Sequence, residues 1–266
     1  MDDYALLTLQ IAWGADEALD DAPVDRLRTA APVRPAPAHS VPPAPARPLQ
    51  ARPPAAAPGL PSQTTAERAV AAAGSANSIE ALASAIAGFD GCVLRDTATR
   101  AVLPQGDAAS GLLLIGDPPG ADEDRSGQPF AGEDGALLDR MLASVGLDRA
   151  GLLMAPLIPW RPPGGRPPSA GELAICLPFL HRLIVLAEPR QILLLGPLAV
   201  RMLLDGKRRR PGSGWTTLSL PGLPTPVPAL VLPTPHMVRS TPSVRRDAWT
   251  ELRRLRRALD GGIAEL

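Results

Sequence analysis

A carboxylate and an aromatic ring share one stretch, Gly111 to Leu138, which reads GLLLIGDPPGADEDRSGQPFAGEDGALL. Asp117 follows the apolar run Leu112 to Ile115 and its closing Gly116. Asp117-Pro118-Pro119-Gly120 then forces a tight turn in which a helix cannot start, and an acidic loop, Asp122-Glu123-Asp124, comes next. Phe130 lies beyond it, flanked by Pro129 and the Ala131-Gly132 pair. A ring so placed in a chain poor in aromatics is not simple core filling. In open α/β sheets the carboxyl end of a buried strand is where ligands bind, and both groups sit there. His236 closes another such strand end, Pro233-Thr234-Pro235-His236.

Local pattern predicts the elements that hold these residues. The Leu112–Ile115 run, bounded by glycines, reads as a strand buried on both faces. Leu152–Ala155, Gln191–Leu195 and Ala229–Leu232 read the same way. Helices are expected between them. Glu133 or Asp134 caps one carrying Ala136, Leu137, Leu138, Met141 and Leu142. Ser169 and Glu172 form a capping box for the next, in which Pro178 should kink or shorten the helix. Gly196-Pro197 starts a third, and Thr241-Pro242 a fourth with Val244, Ala248, Trp249, Leu252 and Leu255 on one face. Ser78 caps an earlier helix over 78–88. Four rounds of strand and helix predict an α/β fold, a three-layer α/β/α sandwich with a four-stranded parallel central sheet and right-handed crossovers.

The 266 residues carry a formal net charge of zero. Residues 1–19 have a weak helical pattern, predicting a short N-terminal helix. Residues 20–77 are Pro/Ala-rich and are expected to be a disordered linker, because such composition buries too little apolar area to offset the ordering entropy. The folded domain is then 78–266. No apolar run reads as long enough to span a bilayer, and no signal peptide is evident, so the expectation is a soluble, monomeric, cytoplasmic protein. The well-separated Cys92 and Cys176 do not suggest a disulfide framework. From Arg201 to Ala258 twelve Lys or Arg face three Asp or Glu. That basic stretch suits a polyanion such as nucleic acid, or is a solvated helix face.

The Gly111–Leu138 stretch resembles motif A of the uracil-DNA glycosylase superfamily in its family 4 form. The matching segments are Gly116-Asp117-Pro118-Pro119-Gly120, Glu123-Asp124 and Gly127-Gln128-Pro129-Phe130-Ala131-Gly132. The resemblance, which covers roughly Phe89 to Ala258, implies a DNA repair enzyme. Such an enzyme hydrolyses the N-glycosidic bond of uracil, or another deaminated base, flipped out of DNA. It implies Asp117 as the water-orienting carboxylate, with capping of the turn as the other reading. It implies Phe130 as the ring stacked on the base, within a base site of Gly116, Pro118, Phe130 and Pro156. His236 takes the place of the motif B His, where it would stabilise the departing anion. Met237 or Val238 would fill the vacated stack, and Arg239, Arg245 and Arg246 would contact DNA.

The sequence departs from the family in two places. Family 4 holds a four-iron cluster on four cysteines, and the corresponding positions here are Phe89, Cys92, Trp160 and Cys176. With two thiols left, the expectation is no cluster and no cofactor. The base-reading Asn of the family corresponds to Pro156, which has no side-chain amide. Backbone groups then read the base, or the substrate differs, or activity is lost. The alternative function is therefore a catalytically weakened family member that binds DNA, or a protein partner through its N-terminal tail. A nucleotide-binding module is disfavoured, because the Gly-rich turn has neither dinucleotide nor P-loop spacing.

Overall fold

The computed structural model describes residues 64–204 and 211–261. The expected helix over 1–19, most of the Pro/Ala-rich stretch and the basic turn Lys207–Arg210 lie outside the described residues.

The folded region begins earlier than the composition suggests. Helix α1 spans Thr65–Ser75, inside the expected linker. Thr64 and Glu67 close a capping box on it, and Ala69 and Ala73, one turn apart, are buried. Alanine makes this segment look like linker, but it is the strongest helix former, and two small residues allow close packing. Helix α2, Ile79–Gly88, starts at the expected Ser78 cap. A short α3, Val93–Thr97, and a two-residue strand β1, Gln105–Gly106, lead into β2, Leu112–Gly116, which is buried throughout.

Directly after the Pro-Pro-Gly turn comes α4, Ala121–Ser126, where an acidic loop was expected. Its three carboxylates fall in the first turn, where the helix dipole favours them. Helix α5 spans Gly132–Ala143 and β3 spans Leu153–Pro156. Helix α6, Ala170–Ala187, has the Ser169–Glu172 box and runs on through Pro178 as one helix. By length and composition alone α6 could cross a membrane, contrary to the sequence reading. Here it behaves as a core helix, with Leu173, Cys176, Phe179, Leu180, Leu183 and Ile184 buried. Strand β4, Gln191–Leu195, and α7, Pro197–Leu203, follow. The chain ends with β5, Trp215–Leu218; β6, Val227–Leu232; α8, Pro235–Ser240; and α9, Pro242–Gly261.

The sheet has six strands in the order β1-β3-β2-β4-β6-β5. The four predicted strands form its centre, and every pair among them is parallel. The two additional strands, β1 and β5, pair antiparallel at the edges. Side chains alternate between faces, so two apolar cores form. Leu113, Ile115, Ile192 and Leu194 point to the α1, α2, α6 and α7 side. Leu112, Leu114, Leu193 and Leu195 point to the α5, α8 and α9 side.

Candidate active site

Strand register brings the candidate residues together. Gly116 of β2 pairs with Leu195 of β4, and Leu195 pairs with Leu232 of β6. The three strands end level, so the loops bearing Asp117, Gly196 and the residues before His236 leave the sheet at one height. Asp117, Phe130 and His236 all line one cavity of about 410 Å³ at that end. That volume is typical of a small-ligand site, roughly 300–1,000 Å³.

Asp117 is fixed by the neighbouring crossover rather than by its own turn. Its Oδ1 accepts from the backbone N–H of Leu198 at 3.0 Å and of Ala199 at 2.9 Å, in the first turn of α7. Gly196 makes this approach possible. Its φ is +112°, and a Cβ there would overlap the Asp117 carboxylate. Burial pushes the Asp117 carboxyl above the usual carboxylate range, while the two N–H groups and the Arg201 charge pull it back. Asp117 also lines a second cavity of about 450 Å³, bounded by prolines together with Arg166 and Arg201. Its side chain is a wall between the two.

Phe130 is held in the left-handed backbone region, with φ of 54°. Its N–H donates to Glu123 Oε1 at 2.6 Å, and its carbonyl accepts from Arg149 Nη2 at 2.8 Å. Arg149 also donates to the Pro129 carbonyl and to Asp139, each at 2.9 Å. The other oxygen of Glu123 accepts from Gly120 N at 2.6 Å. Burial raises the Glu123 carboxyl, with the neighbouring Asp134 and Asp122 adding to the rise against those two N–H bonds. Gly116 lies under the ring, where a Cβ would come within 2.7 Å of it. Sequence reasoning missed the roles of Arg149, Gly196 and Glu123 as props. Only Glu123 carried a signal, its three-residue offset from Gly120.

His236 is exposed on α8, its Nδ1 3.8 Å from Asp134 Oδ2. Arg239, expected on phosphate, instead pairs with Glu133 at 2.6 Å and Asp134 at 3.2 Å. Met237 is exposed and Val238 is buried, which leaves Met237 as the apolar side chain facing outward. Arg245 and Arg246 lie on α9 and are absent from the cavity wall. Pro118 lines the cavity, and Gly116 reaches it only through the Phe130 ring. Pro156 does not line it: the residue is buried at the end of β3, opposite Gly116. Among the described residues no side-chain amide lines this cavity.

The four family cluster positions gather in one core. Phe89, Cys92, Trp160 and Cys176 are all buried on the α1/α2/α6/α7 side. The thiols lie 3.9 Å apart, sharing a hydrogen bond that draws the Cys92 thiol down; with burial it drives Cys176 up. Phe89 packs edge-on against Phe179, with ring centroids 5.3 Å apart.

A family model described as the uracil DNA glycosylase superfamily matches residues 103–253. The chain is similar to the type-4 uracil-DNA glycosylase of Pyrobaculum aerophilum, 33% identical over 132 residues, which are 50% of this chain and 67% of that protein. It is similar to that of Thermotoga maritima, 33% identical over 117 residues, 44% and 61% of the two chains. It is likewise similar to that of Archaeoglobus fulgidus, 35% identical over 114 residues, 43% and 57%. The last two matches span less than two thirds of the relatives' lengths.

This kinship corrects the expectation of a protein without a cofactor, because type 4 is the class for which the resemblance implies an iron–sulfur cluster. The residues at the matching positions do not form the family's ligand set. Two are thiols and two are rings, and no three His, Cys, Asp or Glu gather as ligands among the described residues. On its matched span, its fold and its relatives, the chain belongs to the uracil DNA glycosylase superfamily and stands with its type-4 members.

Proposed function

We propose that this protein hydrolyses the N-glycosidic bond of uracil, or of another deaminated base, extruded from DNA. The observation that carries the reading is the arrangement of Asp117, Phe130 and His236 around one cavity at the carboxyl ends of the strands. Phe130 offers its face to the extruded base, on a backbone pinned from both sides. Asp117 has one oxygen tied to α7, which sets its orientation. Its second oxygen orients the attacking water, and its charge answers the positive charge that develops on the sugar. His236, also on the cavity wall, donates to the negative charge that builds on the leaving base. Met237 enters the stack that the base vacates.

The competing reading is a family member that binds DNA with weakened catalysis. Pro156 favours it, because among the described residues no side-chain amide lines the cavity to read a base edge. One experiment separates the two. Single- and double-stranded oligonucleotides bearing uracil, hypoxanthine or xanthine are incubated with the protein and then cleaved with alkali at abasic sites. Release by the wild type, abolished in Asp117→Asn with DNA binding retained, supports the enzyme. No release from any of these substrates supports the binder.

A further inference from the structure

The base cavity continues into a groove along α5 that holds Arg245, one of the residues the resemblance places on DNA. A second hollow of about 470 Å³ shares Glu133 and Arg239 with the cavity and runs along Ala136, Leu137 and Arg140. A third, of about 500 Å³, shares Arg140, Met141, Val238 and Arg245 with the second and ends at Trp249 and Leu252. The three form one path between α5 and α9. From Glu133 to Ser144 helix α5 and its C-terminus rise about 16 Å at 1.5 Å per residue. That is about five nucleotides at the stacked spacing of roughly 3.4 Å.

The path has an apolar floor and, past the Glu133–Arg239 ion pair at its cavity end, a basic rim. Met141, Val238 and Leu252 are buried beneath it. Trp249 stands open at 46% exposure, the one exposed aromatic among the described residues. Arg140, Arg245 and Arg246 are exposed, and their guanidinium groups enter no ion pair among the described residues. Their neighbours differ: Arg239, Arg254 and Arg256 are each answered by a carboxylate. Free guanidinium groups beside an open indole are the combination that holds single-stranded nucleic acid, with phosphates on the cations and a base stacked on the ring.

We propose that this α5–α9 groove is a binding site for single-stranded DNA leading away from the base cavity, with Trp249 as the stacking platform. The proposal starts from the DNA reading of the cavity but does not depend on base release. It is tested by the anisotropy of a labelled oligothymidine of about ten nucleotides, a length within the site sizes of stacking grooves. No damaged base is present, so the result is independent of catalysis. Trp249→Ala is expected to weaken binding about tenfold, and Trp249→Phe to restore most of it. The Arg245→Ala/Arg246→Ala double variant is expected to flatten the log–log salt dependence by about 1.4, at roughly 0.7 per phosphate contact on a single strand. All these side chains are exposed, and unchanged melting verifies the fold. Wild-type affinity and salt slope in both alanine variants would overturn the proposal. So would alanine variants that keep DNA binding but lose a labelled acidic, leucine-bearing peptide, which would make the groove a protein-docking surface.

Discussion

Arg149 reaches from beyond the far end of α5 to hold Phe130 by its carbonyl, at 2.8 Å. The same guanidinium holds Pro129 and Asp139, so one side chain fixes both the ring-bearing loop and the helix behind it. A planar fork with five donors can do this, and an ammonium cannot. Arg149→Lys is therefore expected to keep the charge and lose the function. Single-turnover base release should fall about 10²-fold, as for a misplacement of roughly 1 Å at a reacting centre. Stability in urea should fall by about 1.5–3 kcal/mol, the scale of hydrogen bonds to a charged group.

Asp117→Asn separates capping from catalysis. An amide oxygen can still accept from Leu198 and Ala199, so α7 keeps its cap. The folded pKa of Asp117 is raised above its unfolded value of about 3.9. The folded state thus holds this proton more tightly, and the contribution to stability is full below the unfolded pKa and lost as pH rises through the folded one. Where the carboxyl is ionised, the wild type carries a charge in this half-buried site that the amide lacks. The variant should melt at the same temperature or higher while base release is lost. A lower melting temperature would show that the charge itself holds α7.

The pH dependence of release should display the same burial. In the proposed reaction water is oriented by the carboxylate, so activity should fall with acid at a pH above the ordinary aspartate range. Arg201 is one of the influences holding that pKa down. Arg201→Ala is therefore expected to move the acid limb of kcat/KM to higher pH, leaving the maximal rate within about twofold. A limb that does not move would place the titration on another group.

Gly196→Ala should be more damaging than its size suggests. Alanine at φ of +112° is strained, and its methyl would overlap the Asp117 carboxylate. A loss of about 1–3 kcal/mol in urea is expected. Base release should fall with it, because a displaced carboxylate loses the Leu198 and Ala199 N–H groups that set its orientation.

The parts legible in the sequence were those encoded locally. The four central strands are short apolar runs between glycines or prolines, and Ser78 and Ser169 mark helix starts with side chains that bond within three residues. The parts that escaped reading depend on partners far along the chain or on composition that misleads. Asp117 finds its partners 81 and 82 residues away. Arg239 looked free for phosphate until α8 lay beside Glu133 and Asp134. Strands β1 and β5 are too short or too irregular to alternate, and they exist because β3 and β6 offer open edges. Helix α4 hid inside an acid run that dipole and cap stabilise. Pro156 aligned with a base-reading position, yet its place in the strand turns it away from the cavity.

Asp117 hangs from the first turn of α7, and this divides the labour between two stretches of chain. The position of the carboxylate is inherited from Gly196-Pro197-Leu198-Ala199, four residues with no reactive group among them. The stretch from Pro118 to Phe130, apart from Glu123 and the ring it props, is then at liberty to vary without disturbing that carboxylate. Redesign of base preference has room in that loop, whereas the chemically silent tetrapeptide must be left alone.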